Sequence, residues 1–148
     1  MLKTAIATGA LVGALAFAGQ AAAAEVVVKM LDKGAQGSMV FEPASAKLKP
    51  GDTVRFVPTS KGHNVETILG MVPPGAEVVK SPLSKEVVVK FPKAGIYGFK
   101  CTPHVGFGMT FVAKVGDGAT NAAAAEAAVA KVPPMAKKRL GASFAALK

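Results

Sequence analysis

Between Glu25 and Gly116 the chain is cut into short runs, each too brief for a helix and each closed by turn residues. This punctuation restricts the fold more than any other feature. EVVVKML starts at Glu25, SMVFEP at Ser38 and AKLK at Ala46, which runs into the turn Pro50-Gly51-Asp52. TVRFVP follows from Thr53, HNVE from His63, KEVVVKF from Lys85, IYGFKC from Ile96 and MTFVAKV from Met109. Several runs alternate: Val54 and Phe56 oppose Thr53 and Arg55, and Val87, Val89 and Phe91 oppose Glu86, Val88 and Lys90. A period of two is the repeat of a half-buried strand. Roughly eight such strands at near-regular spacing predict an antiparallel sandwich or barrel.

The two ends read differently. Met1-Leu2-Lys3 is a short positive start, Thr4 to Gly19 is small and apolar, and Ala21 to Ala24 offers small-x-small cleavage sites. That is the layout of a signal peptide over 1–23, removed on export, with the mature chain beginning at Ala24 or Glu25. The apolar run is short of the ~20 residues a spanning helix needs. The expected product is a soluble periplasmic protein with one domain over 24–148. After Gly116-Asp117-Gly118 the composition turns helical. Asn121 is placed to cap a helix through AAAAEAAVAK, Pro133-Pro134 ends it and starts another, and Ala136, Leu140, Phe144 and Leu147 share one face of that second helix. Residues 119–148 therefore read as a helical extension packed on the strands.

Cysteine and histidine are scarce. One Cys excludes a disulfide framework, and an unpaired thiol in an oxidising compartment is a liability unless something binds it. Cys101, His104 and Met109 form Cys-x2-His-x4-Met between two strands. Period two puts Tyr97, Phe99 and Cys101 on one face and Met109, Phe111, Ala113 and Val115 on another, so the sulfurs of Cys101 and Met109 point inward from facing strand ends. The glycine-bearing loop lets His104 curl between them, and the only other histidine is His63, sharing a strand face with Val65. Taken singly, each residue has a bland explanation: a buried small hydrophobe, a solvated imidazole, a core thioether. Taken together they use every Cys and His in the chain. Two imidazoles, a thiolate and an axial thioether are the donors of a type-1 copper site. Zinc accepts Cys and His but is poorly served by Met. A Cys–His nucleophile would need a cleft and an oxyanion hole, and a cysteine held by a metal cannot attack.

The stretches MVFEPA (Met39–Ala44), PGDTVRF (Pro50–Phe56), KGHNVE (Lys61–Glu66), YGFKCTPH (Tyr97–His104) and Gly108-Met109 resemble the cupredoxins, and among them the pseudoazurin branch, over nearly all of the mature chain. The resemblance implies a mainly β fold, an eight-stranded antiparallel Greek-key β-sandwich with two C-terminal α-helices. It implies one copper ion held by His63, Cys101, His104 and Met109. It also implies that Asn64 steadies the Cys101 sulfur and ties the two ligand loops together, with Pro103 beside the ligands. Relatives often carry a Tyr and a Met where this chain reads Val105-Gly106-Phe107.

A net charge of +9 admits nucleic acid, anionic lipid or an acidic protein as partner. Export argues against nucleic acid, no stacking aromatics are interleaved with the lysines, and no membrane anchor remains after cleavage. An acidic redox protein fits best. Pro103, Val105, Gly106 and Phe107 are expected to surround an exposed edge of His104, with Lys33, Lys61, Lys80 and Lys100 as a rim. The expected protein is a monomeric electron carrier and not an enzyme, since no His remains for a second copper. The resemblance implies nitrite reductase as acceptor and a cytochrome as donor. The competing function is copper delivery, for which a closed four-ligand set is ill suited.

Overall fold

A computed structural model describes residues 22–118 and 120–148, so the leader expected over 1–23 lies almost wholly outside the described residues. Eight strands form two four-stranded sheets. They are β1 (Glu25–Gly34), β2 (Gly37–Glu42), β3 (Ser45–Leu48), β4 (Thr53–Pro58), β5 (Glu66–Thr67), β6 (Val87–Lys90), β7 (Gly95–Lys100) and β8 (Thr110–Val115). One sheet runs β2-β1-β4-β6 and the other β3-β8-β7-β5. The sandwich expected from the alternation is present, but the pairing is mixed. β1/β2, β4/β6, β5/β7 and β7/β8 are antiparallel, whereas β1 lies parallel to β4 and β3 parallel to β8. Both parallel pairs join strands from distant parts of the chain, which no hairpin turn signal reports.

The alternating positions meet between the sheets. Val54, Phe56, Phe91, Phe99, Phe111, Ala113 and Val115 are essentially inaccessible, and Cys101 and Met109 belong to the same cluster. Phe56 is its hub, with ring centroids 5.5 Å from Phe41, 5.7 Å from Phe99 and 5.3 Å from Phe111, two of the three edge-on. Such pairs contribute about 0.5–1.5 kcal/mol each beyond burial. The ends of β7 and β8 that carry the sulfurs thus rest on interlocked rings.

HNVE is not a strand over its length. β5 begins only at Glu66, and the backbone before it bonds to loop side chains instead of a neighbouring strand: Val65 N–H donates to Ser81 Oγ at 2.9 Å and Gly62 N–H to Ser84 Oγ at 2.8 Å. His63 and Val65 are both buried nonetheless.

Two helices follow, α1 (Ala122–Val129) and α2 (Pro134–Ala146). They cover the outer face of the β8/β7 sheet and form a second cluster of Ile68, Met71, Val112, Ala125, Ala128, Leu140 and Leu147. Full burial of a leucine contributes about 1.5–3 kcal/mol, so Leu140 and Leu147 alone hold the tail firmly. Asn121 stands at the N-cap of α1 but makes no capping bond; its side chain is spent on the backbone of Ile96 in β7. Among the described residues no helix is long and apolar enough to cross a membrane.

Candidate metal centre

Cys101 directly follows β7 and Met109 directly precedes β8, with a 3-10 turn over Thr102–Phe107 between them. The turn is pinned at both ends. Cys101 N–H donates to the Met109 carbonyl at 3.0 Å, His104 N–H to the Cys101 carbonyl at 3.1 Å, and Met109 N–H to the His104 carbonyl at 3.3 Å. Gly108 ends the turn with φ at 87°, and a Cβ there would lie 2.7 Å from Arg139 Cδ and 2.9 Å from the Met135 carbonyl. Only glycine satisfies both the left-handed backbone and the close approach of α2.

His63 comes from the other side of the pole, in the segment between β4 and β5. Ser84 N–H donates to its carbonyl at 2.7 Å. Its Nδ1 lies 3.0 Å from His104 Nδ1 and 3.7 Å from Cys101 Sγ, and the Cys101 Sγ to His104 Nδ1 distance is 3.5 Å. The three donor atoms form a compact triangle, with His63 and Cys101 buried and His104 half-buried. A point equidistant from them lies about 2 Å from each, the length of a metal–nitrogen bond. Two borderline nitrogens and one soft sulfur suit copper, and the wholly buried Met109 follows from the same turn.

The electrostatics favour an uncharged His63. Burial, and then the neighbouring His104, hold its ring below the usual imidazole range, against the pull of Asp32. Burial pushes the Cys101 thiol up, opposed by the backbone amides of Asn64 and His104, which bond the sulfur. A metal ion at the triangle would reverse that balance by stabilising the thiolate directly.

Asn64 joins the two ligand segments. Its Oδ1 accepts from Thr102 N–H at 2.8 Å, while its own backbone amide faces the Cys101 sulfur. Pro103 is exposed in the turn beside His104. Around the half-buried His104, Phe107 is 58% exposed and Val105 partly so, giving an apolar surround. Lys33, Lys61 and Lys80 are exposed. Lys100 is half-buried and its Nζ lies 3.6 Å from Glu66, whose other oxygen accepts from Thr102 Oγ1 at 2.9 Å. Lys100 is therefore partly spent on an internal pair.

Sequence reasoning missed four contributors. Asp32 Oδ1 lies 3.0 Å from His63 Nε2. Ser81 and Ser84 hold the His63 segment. Arg139 donates to the carbonyls of Met39 at 2.8 Å and Ser38 at 3.0 Å, fastening α2 to the β1–β2 hairpin. None carries a local signal, because each acts on a partner 16 or more residues away.

Residues 28–116 match the family described as copper binding proteins, plastocyanin/azurin family. The chain is 49% identical to the pseudoazurin of Methylorubrum extorquens over 98% of its own length and 97% of that protein's. It is 46% identical to the pseudoazurin of Paracoccus pantotrophus over 88% and 89% of the two chains. The crystal structure of pseudoazurin from Methylobacterium extorquens AM1 superposes with a TM-score of 0.77 at 51% identity, covering 84% of this chain and 99% of that one. The chain belongs to the pseudoazurins, within the plastocyanin/azurin family of copper-binding proteins. The two C-terminal helices accord with this placement, and copper is the cofactor of the family. Membership in the cupredoxins implies copper electron transfer, and the nitrogen–sulfur triangle is a donor set that suits it.

Proposed function

We propose that this protein carries single electrons between redox partners in the periplasm, with His63, Cys101, His104 and Met109 holding one copper ion. When bound, copper supplies the redox chemistry by taking up and giving back one electron. The rest belongs to the chain. Interlocked rings beneath Cys101 and Met109, and backbone bonds across the turn, keep the donor atoms in one arrangement through the cycle. Little rearrangement is then needed on electron transfer. The buried positions of His63, Cys101 and Met109 exclude water. His104 has its Nδ1 turned inward and its opposite edge towards the apolar surround of Val105 and Phe107, so it is the exit for the electron.

The observation that carries this reading is the buried triangle of two Nδ1 atoms and one Sγ within 4.8 Å. Basic charge and a hollow of about 240 Å³ beside the turn, lined by Leu69, Val105, Lys100 and Lys131, support docking of an acidic partner. By family resemblance the acceptor is a nitrite reductase and the donor a cytochrome. The protein acts as a monomeric carrier and not as a copper reductase, since a single site uses both His and the one Cys and leaves none for a second copper. Export would be followed by removal of the leader. Ala24 favours cleavage after Ala23, since its N–H bonds Asp52 Oδ1 at 2.8 Å and its carbonyl accepts from Thr53 N–H at 2.9 Å, both lost if Ala24 is removed.

The test is Cu(II) addition to the metal-free protein, followed by a redox titration. An intense thiolate-to-copper band that bleaches reversibly, and is abolished by Cys101→Ser, is the expected result. A band that survives Cys101→Ser overturns the ligand assignment. Ready loss of copper to a mild chelator would mark a delivery protein instead.

A further inference from the structure

We propose that Asp32 is a positioning residue for the metal centre: its carboxylate fixes which nitrogen of His63 faces the site, and its charge sets how strongly the site prefers Cu(II). The inference rests on His63 being a ligand and adds a role for a residue that holds no metal itself.

The geometry is specific. The two ring nitrogens of His63 have separate partners. Nδ1 faces the triangle, and Nε2 lies 3.0 Å from Asp32 Oδ1. A carboxylate only accepts, so the Nε2 position carries the proton and donates. That leaves the Nδ1 lone pair directed at the site, the form a metal requires. The ring itself is inaccessible to water, so no solvent molecule competes for Nε2.

Asp32 is itself held in place. Its backbone N–H donates to Ser60 Oγ at 3.1 Å, and Ser60 N–H donates to the Met30 carbonyl at 3.1 Å. This exchange clamps β1 to the segment that leads into His63. The carboxylate therefore keeps its position relative to the ring, although the side chain is 60% exposed. The side chain thus spans the surface and the interior, with its hydrogen bond reaching the buried ring.

Two consequences follow. A hydrogen bond from Nε2 to an anion makes the imidazole a stronger donor through Nδ1, and partners of this kind govern metal affinity by about 10–100-fold when removed. A fixed negative charge beyond the ligand also stabilises the dipositive ion more than the monopositive one. Asp32 thus lowers the reduction potential.

The experiment compares the copper-loaded full chain with Asp32→Asn and Asp32→Ala. The readouts are the reduction potential, the copper affinity, and the proton position on His63 by ring ¹⁵N NMR of the Cu(I) form. Asp32→Asn keeps an oxygen acceptor and removes the charge. It is expected to retain the Nε2 proton and to weaken Cu(II) relative to Cu(I) about tenfold, a rise of about 59 mV. Asp32→Ala is expected to lose copper affinity in addition, by about 10–100-fold. An unchanged potential in Asp32→Asn, or unchanged affinity in Asp32→Ala, overturns the proposal. These outcomes are separable from failure of the ligand assignment, which would already appear as absence of the thiolate-to-copper band in the unaltered protein.

Discussion

Asn121 bonds both backbone groups of Ile96: its Oδ1 accepts from Ile96 N–H at 2.9 Å and its Nδ2 donates to the Ile96 carbonyl at 2.8 Å. One buried amide thus does for β7 what a neighbouring strand would do, and it stitches the start of α1 to the sheet. Leaving a buried donor or acceptor without a partner costs about 1–3 kcal/mol. Asn121→Ala is therefore expected to lose about 1–3 kcal/mol in urea unfolding, with the visible spectrum of the copper form unchanged. A loss below about 0.5 kcal/mol would mean that water replaces the side chain.

Met109 is expected to set the potential more than the presence of copper. Met109→Gln replaces a soft thioether with a harder oxygen, which favours Cu(II). The variant should retain copper and show a lower potential, by about 59 mV for each tenfold change in the ratio of affinities. Equal potentials in a redox titration would remove Met109 from the site.

Asp52 gives the fold an acid-sensitive anchor. Its two oxygens accept from Lys49 N–H at 2.7 Å and Ala24 N–H at 2.8 Å. Those bonds, first that from Lys49, hold its carboxyl below the usual aspartate value. A carboxylate with a lowered folded pKa contributes stability that is fully present above its unfolded value, about 3.9, and is lost as pH falls through the folded value. Unfolding curves of the protein and of Asp52→Asn should differ at pH 6 and start to converge only as pH falls below about 4. A gap that stays constant down to pH 2.5 would assign the difference to packing.

Long-range charge is expected to control the rate of meeting an acidic redox partner. The Debye length falls from about 30 Å at 0.01 M salt to about 8 Å at 0.15 M. Stopped-flow association should slow by roughly tenfold or more over that range, and Lys61→Glu with Lys80→Glu should flatten the dependence. A rate indifferent to salt would exclude steering by this rim.

Much of this arrangement is legible in the residues. The alternation of Val54 with Phe56, and of Tyr97, Phe99 and Cys101, is local, and burial follows it closely. The sulfurs of Cys101 and Met109 could be aimed from strand parity alone. What escaped were relations between distant segments. The parallel pairing of β1 with β4 and β3 with β8 has no turn to announce it. HNVE alternates and so predicts a strand through His63, yet serines 81 and 84 claim the amides of Val65 and Gly62 on either side of it. The position of Asn121 predicts a helix cap, but Ile96 offers two bonds where a cap offers one. Asp32 is one exposed acid in a β-prone run, and nothing near it in sequence points to His63.

The grip of Arg139 on the carbonyls of Ser38 and Met39, and the seat of Met135 and Arg139 over Gly108, bear on where this molecule can be shortened. The shared family region stops at residue 116, which makes everything beyond it look like a removable appendage. Trimming there would strip the lid from Val112, unfasten a hairpin at the far end of the polymer, and leave the copper turn without its backing.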